Sequence, residues 1–181
     1  MMEQLQTLQD VGSRLDALGL RWMVTGSMAM NHYATPRMTR DIDVVVALDA
    51  AVAGRLAESF AGDYYIEAAS VRDAARHRSM FGAIHLETMV KVDFVVRKVD
   101  AFRRLELERR RRVEWEETGF WVVSPEDLLL SKLVWSRDGK SELQMRDVRN
   151  LVASVGGLDR DYLSRWATDL EVADLLAEVL P

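Results

Sequence analysis

The sequence predicts an α+β fold, in which strands and helices alternate up to residue 123 and helices alone follow from Ser124. Short runs rich in β-branched and aromatic residues, such as Ile42–Leu48 and Met89–Val96, are typical of strands. Ser124-Pro125-Glu126-Asp127 places proline and acids as a helix start does, and helical periodicity continues after it. We therefore expect an α+β core over residues 1–123 and a helical extension over residues 124–181 that packs on it.

Each further element follows from local spacing and from the residues that interrupt it. Leucines three and four residues apart predict the first helix, Gly19 ends it, and Pro36 ends the second helix. The predicted helices are Glu3–Leu18, Ser27–Tyr33, Asp49–Phe60, Val71–Arg78, Asp100–Leu107, Leu128–Trp135, Leu143–Val155, Tyr162–Trp166 and Val172–Leu180. The predicted strands are Arg21–Thr25, Ile42–Leu48, Tyr64–Glu67, Met80–Leu86, Met89–Val96, Arg109–Trp115 and Phe120–Val123. Glu87-Thr88 and Thr118-Gly119 are the predicted hairpin turns.

Composition narrows the classes of protein to consider. The chain has 181 residues, ordinary proportions of apolar and charged residues, and a formal net charge of -5, which argues against general coating of nucleic acid. The absence of cysteine excludes disulfides, thiolate zinc sites and cysteine nucleophiles. Neither a signal peptide nor an apolar run long enough to span a bilayer is visible. These features predict a cytoplasmic protein that does not enter a membrane.

Two aspartates at the start of an apolar strand are the strongest functional signal. Asp41 and Asp43 are separated by one residue, so on a strand both side chains leave the same face, and the run that follows them is apolar. Burial of unpaired acids is unfavourable, whereas carboxylate oxygens clustered in this way suit Mg²⁺ or Mn²⁺. A water-exposed strand edge is the simpler alternative for the pair alone.

Two more features occur at matching places in the predicted topology. Asp93 lies inside another short apolar strand, where it either pairs with Lys91 or Arg97 or joins the first two acids, if the strands are neighbours. Gly26-Ser27 lies between a strand and a helix, where backbone N–H groups favour phosphate, although an ordinary capped helix explains the dipeptide as well.

The order strand, Gly-Ser, helix, D-x-D, distant acid resembles that of the DNA polymerase beta-like nucleotidyltransferase superfamily. The segments PRMTRDIDVVV and SPEDLLLSKLVWSRDGKSELQMRDVRNLV look like those of small bacterial AbiEii-related nucleotidyltransferase-like proteins. The resemblance covers about residues 18–152 and implies a mixed sheet flanked by helices. The chain departs from the aminoglycoside-modifying enzymes, because no arginine follows closely after Gly26-Ser27, so their substrates are not carried over.

The resemblance implies a metal-dependent transfer of NMP from an NTP to a macromolecular or small acceptor that the sequence does not identify, and modification of RNA or protein by a toxin is the narrower hypothesis within it. Asp41, Asp43 and Asp93 would be the catalytic and metal-binding residues, with Mg²⁺ or Mn²⁺ as cofactor. The predicted nucleotide-binding residues are Gly26, Ser27, Arg37, Arg40 and Lys132. A partner protein or a homo-oligomer remains open.

Several alternatives stay open at the level of sequence. A catalytically inactive nucleotide-binding or antitoxin-like subunit would have the same fold, and a D-x-D glycosyltransferase would leave Gly26-Ser27 and Asp93 unexplained. Lys132 also fits a structural lysine whose ammonium reaches solvent, and Arg146 and Asp147 fit a pair within the helical part. The run Arg109–Arg112 fits a solvated edge strand better than an RNA contact.

Overall fold

The computed structural model describes residues 2–39, 41–115 and 118–180. Its helices are α1 (Met2–Ala17), α2 (Gly26–Tyr33), α3 (Ala50–Phe60), α4 (Ala68–His77), α5 (Ala101–Glu108), α6 (Pro125–Gly139), α7 (Glu142–Ser154), α8 (Arg160–Asp169) and α9 (Ala173–Val179). Its strands are β1 (Trp22–Val24), β2 (Asp41–Val46), β3 (Tyr64–Ile66), β4 (Met80–His85), β5 (Lys91–Val96), β6 (Arg111–Trp115) and β7 (Thr118–Val122). This arrangement confirms the predicted α+β class.

The strands form one mixed sheet with the order β3-β4-β5-β2-β1-β7-β6 within the described residues. The two central strands, β2 and β5, run parallel, so Asp41 and Lys91 start them at the same end of the sheet. β1 is antiparallel to β2, and the chain therefore leaves β1 toward the end of the sheet where β2 begins. This topology brings the β1–α2 turn and the starts of β2 and β5 together.

The sheet is held between helices by apolar side chains that alternate along the strands. Val44, Val46, Val92 and Phe94 are fully buried, as expected for central strands covered on both faces. Phe94 stacks on Phe81 of β4, with ring centroids 4.8 Å apart. Packing in the centre of the sheet thus fixes the register that aligns the polar residues at its end.

The C-terminal helices attach to the sheet through α6. Ser124 caps α6, with its side chain accepting a hydrogen bond from the backbone N–H of Asp127, and Pro125 occupies the first helical position. The carboxylate of Asp127 accepts a hydrogen bond from the Tyr162 hydroxyl of α8. The separation of a core and an extension at residue 124 stays a prediction.

The second predicted hairpin turn is wrong. Thr118 and Gly119 belong to β7 and pair with Trp115 and Glu114 of β6, so the predicted hairpin is present, but Thr118-Gly119 is not its turn. The turn chemistry of a Thr-Gly pair misled the prediction, because a glycine inside a strand is also tolerated where another side chain approaches. Here the Arg112 side chain lies over Gly119.

Other differences concern the ends of elements. Several predicted helices are longer than the apolar spacing indicated, and α6 extends to Gly139. α3 begins at Ala50, one residue after the start of the predicted helix, and the carboxylate of the N-cap residue Asp49 binds Arg78 at 2.9 Å instead of capping the helix. Over the described part of the chain, no helix is both long and apolar enough to cross a membrane.

Candidate active site

The turn from β1 into α2 is built around the side chain of Asp43. Gly26 begins α2 with a φ of 61°, a left-handed conformation that favours glycine, and a Cβ at this position would overlap the Asp43 carboxylate. That carboxylate accepts a hydrogen bond from the backbone N–H of Ser27. The backbone N–H of Thr25 donates to the carbonyl of Asp43 at 2.9 Å. The Gly-Ser dipeptide is therefore a seat for an anionic oxygen, which Asp43 fills.

The predicted acids converge at the start of the central strands. Asp41 and Asp43 share one face of β2, and Asp43 is the direct neighbour of Asp93 across the parallel β2–β5 ladder. Asp41 is in turn aligned with Lys91, whose Nζ donates to Oδ2 of Asp93 at 2.7 Å. The structure thus realises both alternatives for Asp93, which pairs with Lys91 and also lies beside Asp43.

The electrostatics of this group disfavour a fully ionised state. Burial raises the pKa of Asp43, and the negative charges of Asp93 and Asp41 raise it further. The hydrogen bond from Ser27 and the charge of Lys132 act in the opposite direction and do not cancel the increase. A cation that approaches these oxygens would relieve the repulsion.

A second group of charges lies on the helical side of the site. Nζ of Lys132, whose residue is 1% exposed, donates to Oδ2 of Asp147 at 2.8 Å and to Oε1 of Gln144 at 3.0 Å. Burial lowers the pKa of Lys132, while the hydrogen bond and charge of Asp147 oppose that change. The alternative of a lysine that reaches solvent is therefore wrong, because the ammonium is enclosed and paired.

Arg37 connects this second group to the Gly-Ser turn. Its Nη2 donates to Oγ of Ser27 at 2.6 Å and to Oδ2 of Asp147 at 3.2 Å. Asn31, one helical turn after Ser27, fixes the backbone of Arg37 through a pair of hydrogen bonds of 2.8 and 2.9 Å. The side chain of Arg37 thus reaches the site from a loop whose backbone α2 holds in place.

Sequence reasoning missed Asn31 and assigned Asp147 the wrong partner. Asp147 pairs with Lys132 and Arg37, whereas Arg146, its predicted partner, is exposed on α7. The only signal for Asp147 was an acid at a position of α7 that helical spacing places inward with Met145 and Val148. Oγ1 of Thr39 donates to the carbonyl of Asp41 at 3.3 Å, and the predicted nucleotide-binding residue Arg40 lies outside the described residues.

Carboxylate oxygens are the ligand type that Mg²⁺ and Mn²⁺ prefer, and the raised pKa of Asp43 reflects negative charge that a cation would neutralise. In their present positions, no three histidine, cysteine or acidic residues among those described form a metal-holding group. In this arrangement Oδ2 of Asp93 is bound to Lys91, and Asp43 is bound to the N–H of Ser27. The donor set fits such an ion in chemical type.

The family comparison matches residues 13–149 to the model described as "Nucleotidyl transferase AbiEii toxin, Type IV TA system". That range contains each of the site residues described above. No relative among curated proteins matches the chain.

Solved structures share the fold at low sequence identity. An antigenic nucleotidyltransferase-like protein from Paracoccidioides brasiliensis aligns with a TM-score of 0.58 and 18% identity over 98% of this chain and 92% of its own. ANT(2")-Ia in complex with adenylyl-2"-tobramycin gives a TM-score of 0.60 and 12% identity over 93% and 97%. The lincosamide adenylyltransferase LnuA gives 0.55 and 15% over 86% and 98%. At these identities the likeness shows the fold.

Proposed function

The chain belongs to the AbiEii nucleotidyltransferase family, and we propose that it transfers the nucleoside monophosphate of an NTP to an acceptor hydroxyl in an RNA or a protein. The observation that supports this proposal most is the seat that Gly26 and Ser27 form for Asp43, directly beside Asp93. It joins an anion-binding helix start to a carboxylate cluster in one place.

Binding of the nucleotide would begin at the start of α2. A phosphate oxygen can accept hydrogen bonds from the N–H and Oγ of Ser27, which now bind Asp43 and Arg37. Arg37 would turn from Ser27 Oγ to the phosphate, and Lys132 adds positive charge behind it. Asp147 holds both cations in position for this exchange.

The chemistry is an in-line displacement at the α-phosphate. The acceptor oxygen forms a bond to the α-phosphorus, the bond to the bridging oxygen breaks, and pyrophosphate leaves. Asp93, once free of Lys91, would take the proton of the attacking hydroxyl. Asp41, Asp43 and Asp93 would hold Mg²⁺ or Mn²⁺, which supplies charge neutralisation and activation of the hydroxyl when bound.

The decisive test follows transfer of label from α-³²P-NTPs, with Mg²⁺ or Mn²⁺, to total RNA and to total protein. Wild type should label one acceptor fraction, and Asp43→Asn should reduce the initial rate by at least ~100-fold, because it removes a charged oxygen from the cluster. Asp73→Asn on the exposed face of α4 is a matched control and should label at the wild-type rate. Equal labelling by wild type and Asp43→Asn would exclude the proposed role of Asp43.

The inactive-subunit alternative has a distinct signature in the same samples. It predicts that Mg·NTP raises the melting temperature of wild type while no pyrophosphate is released with any acceptor. The structural feature that favours this alternative is the Lys91–Asp93 pair, which occupies the proposed base. For the active enzyme, toxicity on induced expression should require Asp43.

A further inference from the structure

A group of arginines surrounds the end of the central strands opposite to Asp41. We define the arginine patch as Arg21, Arg78, Arg97, Arg104 and Arg110. Three of these arginines form hydrogen bonds with the backbone of residues 46–48, at the far end of β2. Arg21 accepts through its carbonyl, Arg97 donates through its backbone N–H, and Arg78 donates through Nη1 at 2.9 Å. The patch therefore lies a full strand length from the carboxylates.

The members of the patch are close enough to repel one another. Burial lowers the pKa of Arg97, and the charges of Arg21, Arg78 and Arg104 lower it further. Burial and the charge of Arg21 also lower the pKa of Arg110. In a chain with a net charge of -5, such a concentration of positive charge is a local feature of this surface.

Backbone carbonyls, which carry no net charge, accept most of the hydrogen bonds from these guanidiniums. Arg104 Nε donates to Val99 O at 2.6 Å, and Arg110 Nη1 donates to Leu107 O at 2.7 Å. Nε of Arg97 and Nε of Arg110 are buried with no hydrogen-bond partner in the part of the chain that the structure describes. The carbonyls fix the side chains and leave their charge in place.

Acids lie close to the patch but do not neutralise it. Asp49 pairs with Arg78 at 2.9 Å, and Asp16 lies near Arg110. Asp100 and Glu108 lie four residues before and after Arg104 on α5. The five guanidiniums and Lys98, which follows Arg97, outnumber these four acids.

A half-buried aromatic ring borders the patch. The guanidiniums of Arg110 and Arg112 lie over Trp121 of β7, at 4.5 and 5.3 Å from the ring centroid. Guanidiniums and aromatic rings together are the combination that holds a single nucleic-acid strand, since the guanidiniums take the phosphates and flat groups take the bases.

We propose that the arginine patch binds the phosphate backbone of a single-stranded nucleic acid. The strand supplies one negative charge per nucleotide to guanidiniums that otherwise repel one another, and their remaining N–H groups match phosphate oxygens. This site is separate from the carboxylate cluster, so binding requires neither NTP nor divalent cation.

Fluorescence anisotropy with a labelled polyuridylate of about 20 nucleotides and its deoxy counterpart, across a salt series, tests this proposal. Arg21→Gln/Arg104→Gln should weaken binding at least ~10-fold and lower the slope of log K against log salt by about 1.4, or 0.7 per lost phosphate contact. Arg72→Gln/Arg165→Gln changes two exposed arginines outside the patch by the same net charge and should leave the slope unaltered. The difference in affinity between the two probes shows whether the patch prefers ribose or deoxyribose.

The proposal is overturned if wild type binds neither probe, if both double variants lose affinity equally, or if polyglutamate of the same length binds more tightly than either strand. Asp43→Asn should bind as wild type does, and tighter binding by this variant would place the strand at the carboxylates instead, because the loss of a negative charge there would reduce the repulsion of phosphates. Because no NTP is present, failure of nucleotidyl transfer leaves this measurement unchanged.

Discussion

The central strands β2 and β5 end in two groups of charges that are organised in different ways. At the start of the strands, cations and carboxylates alternate, with Lys91 on Asp93 and both Lys132 and Arg37 on Asp147. At the other end, the arginine patch binds mostly backbone carbonyls, and its positive charges outnumber the acids beside it, such as Asp49 and Asp16. In the first group each of these cations has a carboxylate partner, whereas in the second most of the arginines bind carbonyls.

Because of this difference, substitutions at the two ends of the central strands should affect different properties, stability at one end and binding at the other. Removal of one member of a buried pair leaves its partner as an uncompensated charge, which costs more than the pair itself contributes. Removal of an arginine from a self-repelling surface relieves repulsion and costs little. Substitutions at the start of the strands should therefore destabilise the fold together with the site, whereas substitutions in the patch should affect only binding.

The largest effect on stability is expected for Asp147→Asn. Both Lys132, which is almost fully buried, and Arg37 would lose their carboxylate, and we expect a loss of about 4 kcal/mol in the free energy of unfolding at neutral pH. Urea denaturation measures this difference. The double variant Lys132→Met/Asp147→Leu should recover much of the loss, because no buried charge remains.

The pH dependence of stability shows whether Asp147→Asn is destabilised by the loss of charge or by a change in side-chain shape. Burial alone would raise the pKa of Asp147, but hydrogen bonds and charges from Lys132 and Arg37 outweigh it and hold the pKa below 3.8. A lowered folded-state pKa contributes stability above 3.8 and loses it as pH falls through the folded value. The gap between wild type and Asp147→Asn should narrow from about pH 7 to about pH 3. A gap that stays constant would contradict a role for the charge.

The next largest loss of stability is expected for Gly26→Ala, which changes the backbone at the same end of the central strands. The new Cβ would overlap the Asp43 carboxylate, and the positive φ adds strain, so we expect a loss of about 2 kcal/mol in stability. Displacement of the carboxylate should also reduce labelling from NTP by about 100-fold. Both are measured on one preparation, by urea denaturation and by the labelling assay.

Gly54→Ala is the matched control for Gly26→Ala. It places the same Cβ in open space on α3, where the backbone is helical, and should raise stability by about 0.5–1 kcal/mol. An equal response of the two variants would show that the Asp43 seat does not depend on glycine.

Local sequence patterns predicted the structural features that depend only on residues close together in the chain. The alternation in Asp41-Ile42-Asp43 fixed the shared face of the two acids, and Gly26 marked the turn where a left-handed residue was needed. The convergence of Asp43 and Asp93 was predictable only on the condition that β2 and β5 are neighbours. Strand order results from long-range packing, which single-sequence periodicity does not contain.

Partners across the fold could not be predicted for the same reason. Lys132 and Asp147 lie on different helices, 15 residues apart in sequence, and Arg37 reaches Asp147 from 110 residues away. Sequence alone offered Arg146 as the nearest cation to Asp147, and the helical geometry turns it to solvent. The roles of Asp41, Asp43, Asp93 and the nucleotide-binding residues stay predictions until transfer is measured.

The last comparison concerns the effect on stability of substitutions at two arginines five residues apart, Arg104 and Arg109. Arg109 Nε donates to Oδ2 of the fully buried Asp127 at 3.1 Å, and its guanidinium lies 4.0 Å from the ring centroid of Tyr162. Arg109→Gln should therefore lower the free energy of unfolding by about 1.5 kcal/mol, since a buried acceptor loses its charged donor. Arg104→Gln removes a patch arginine that donates to a carbonyl and should change stability by less than ~0.5 kcal/mol. Denaturation of both variants in urea checks the pair, and a larger loss for Arg104→Gln than for Arg109→Gln would show that the patch is part of the stabilising framework, because its charge would then be compensated in the folded chain.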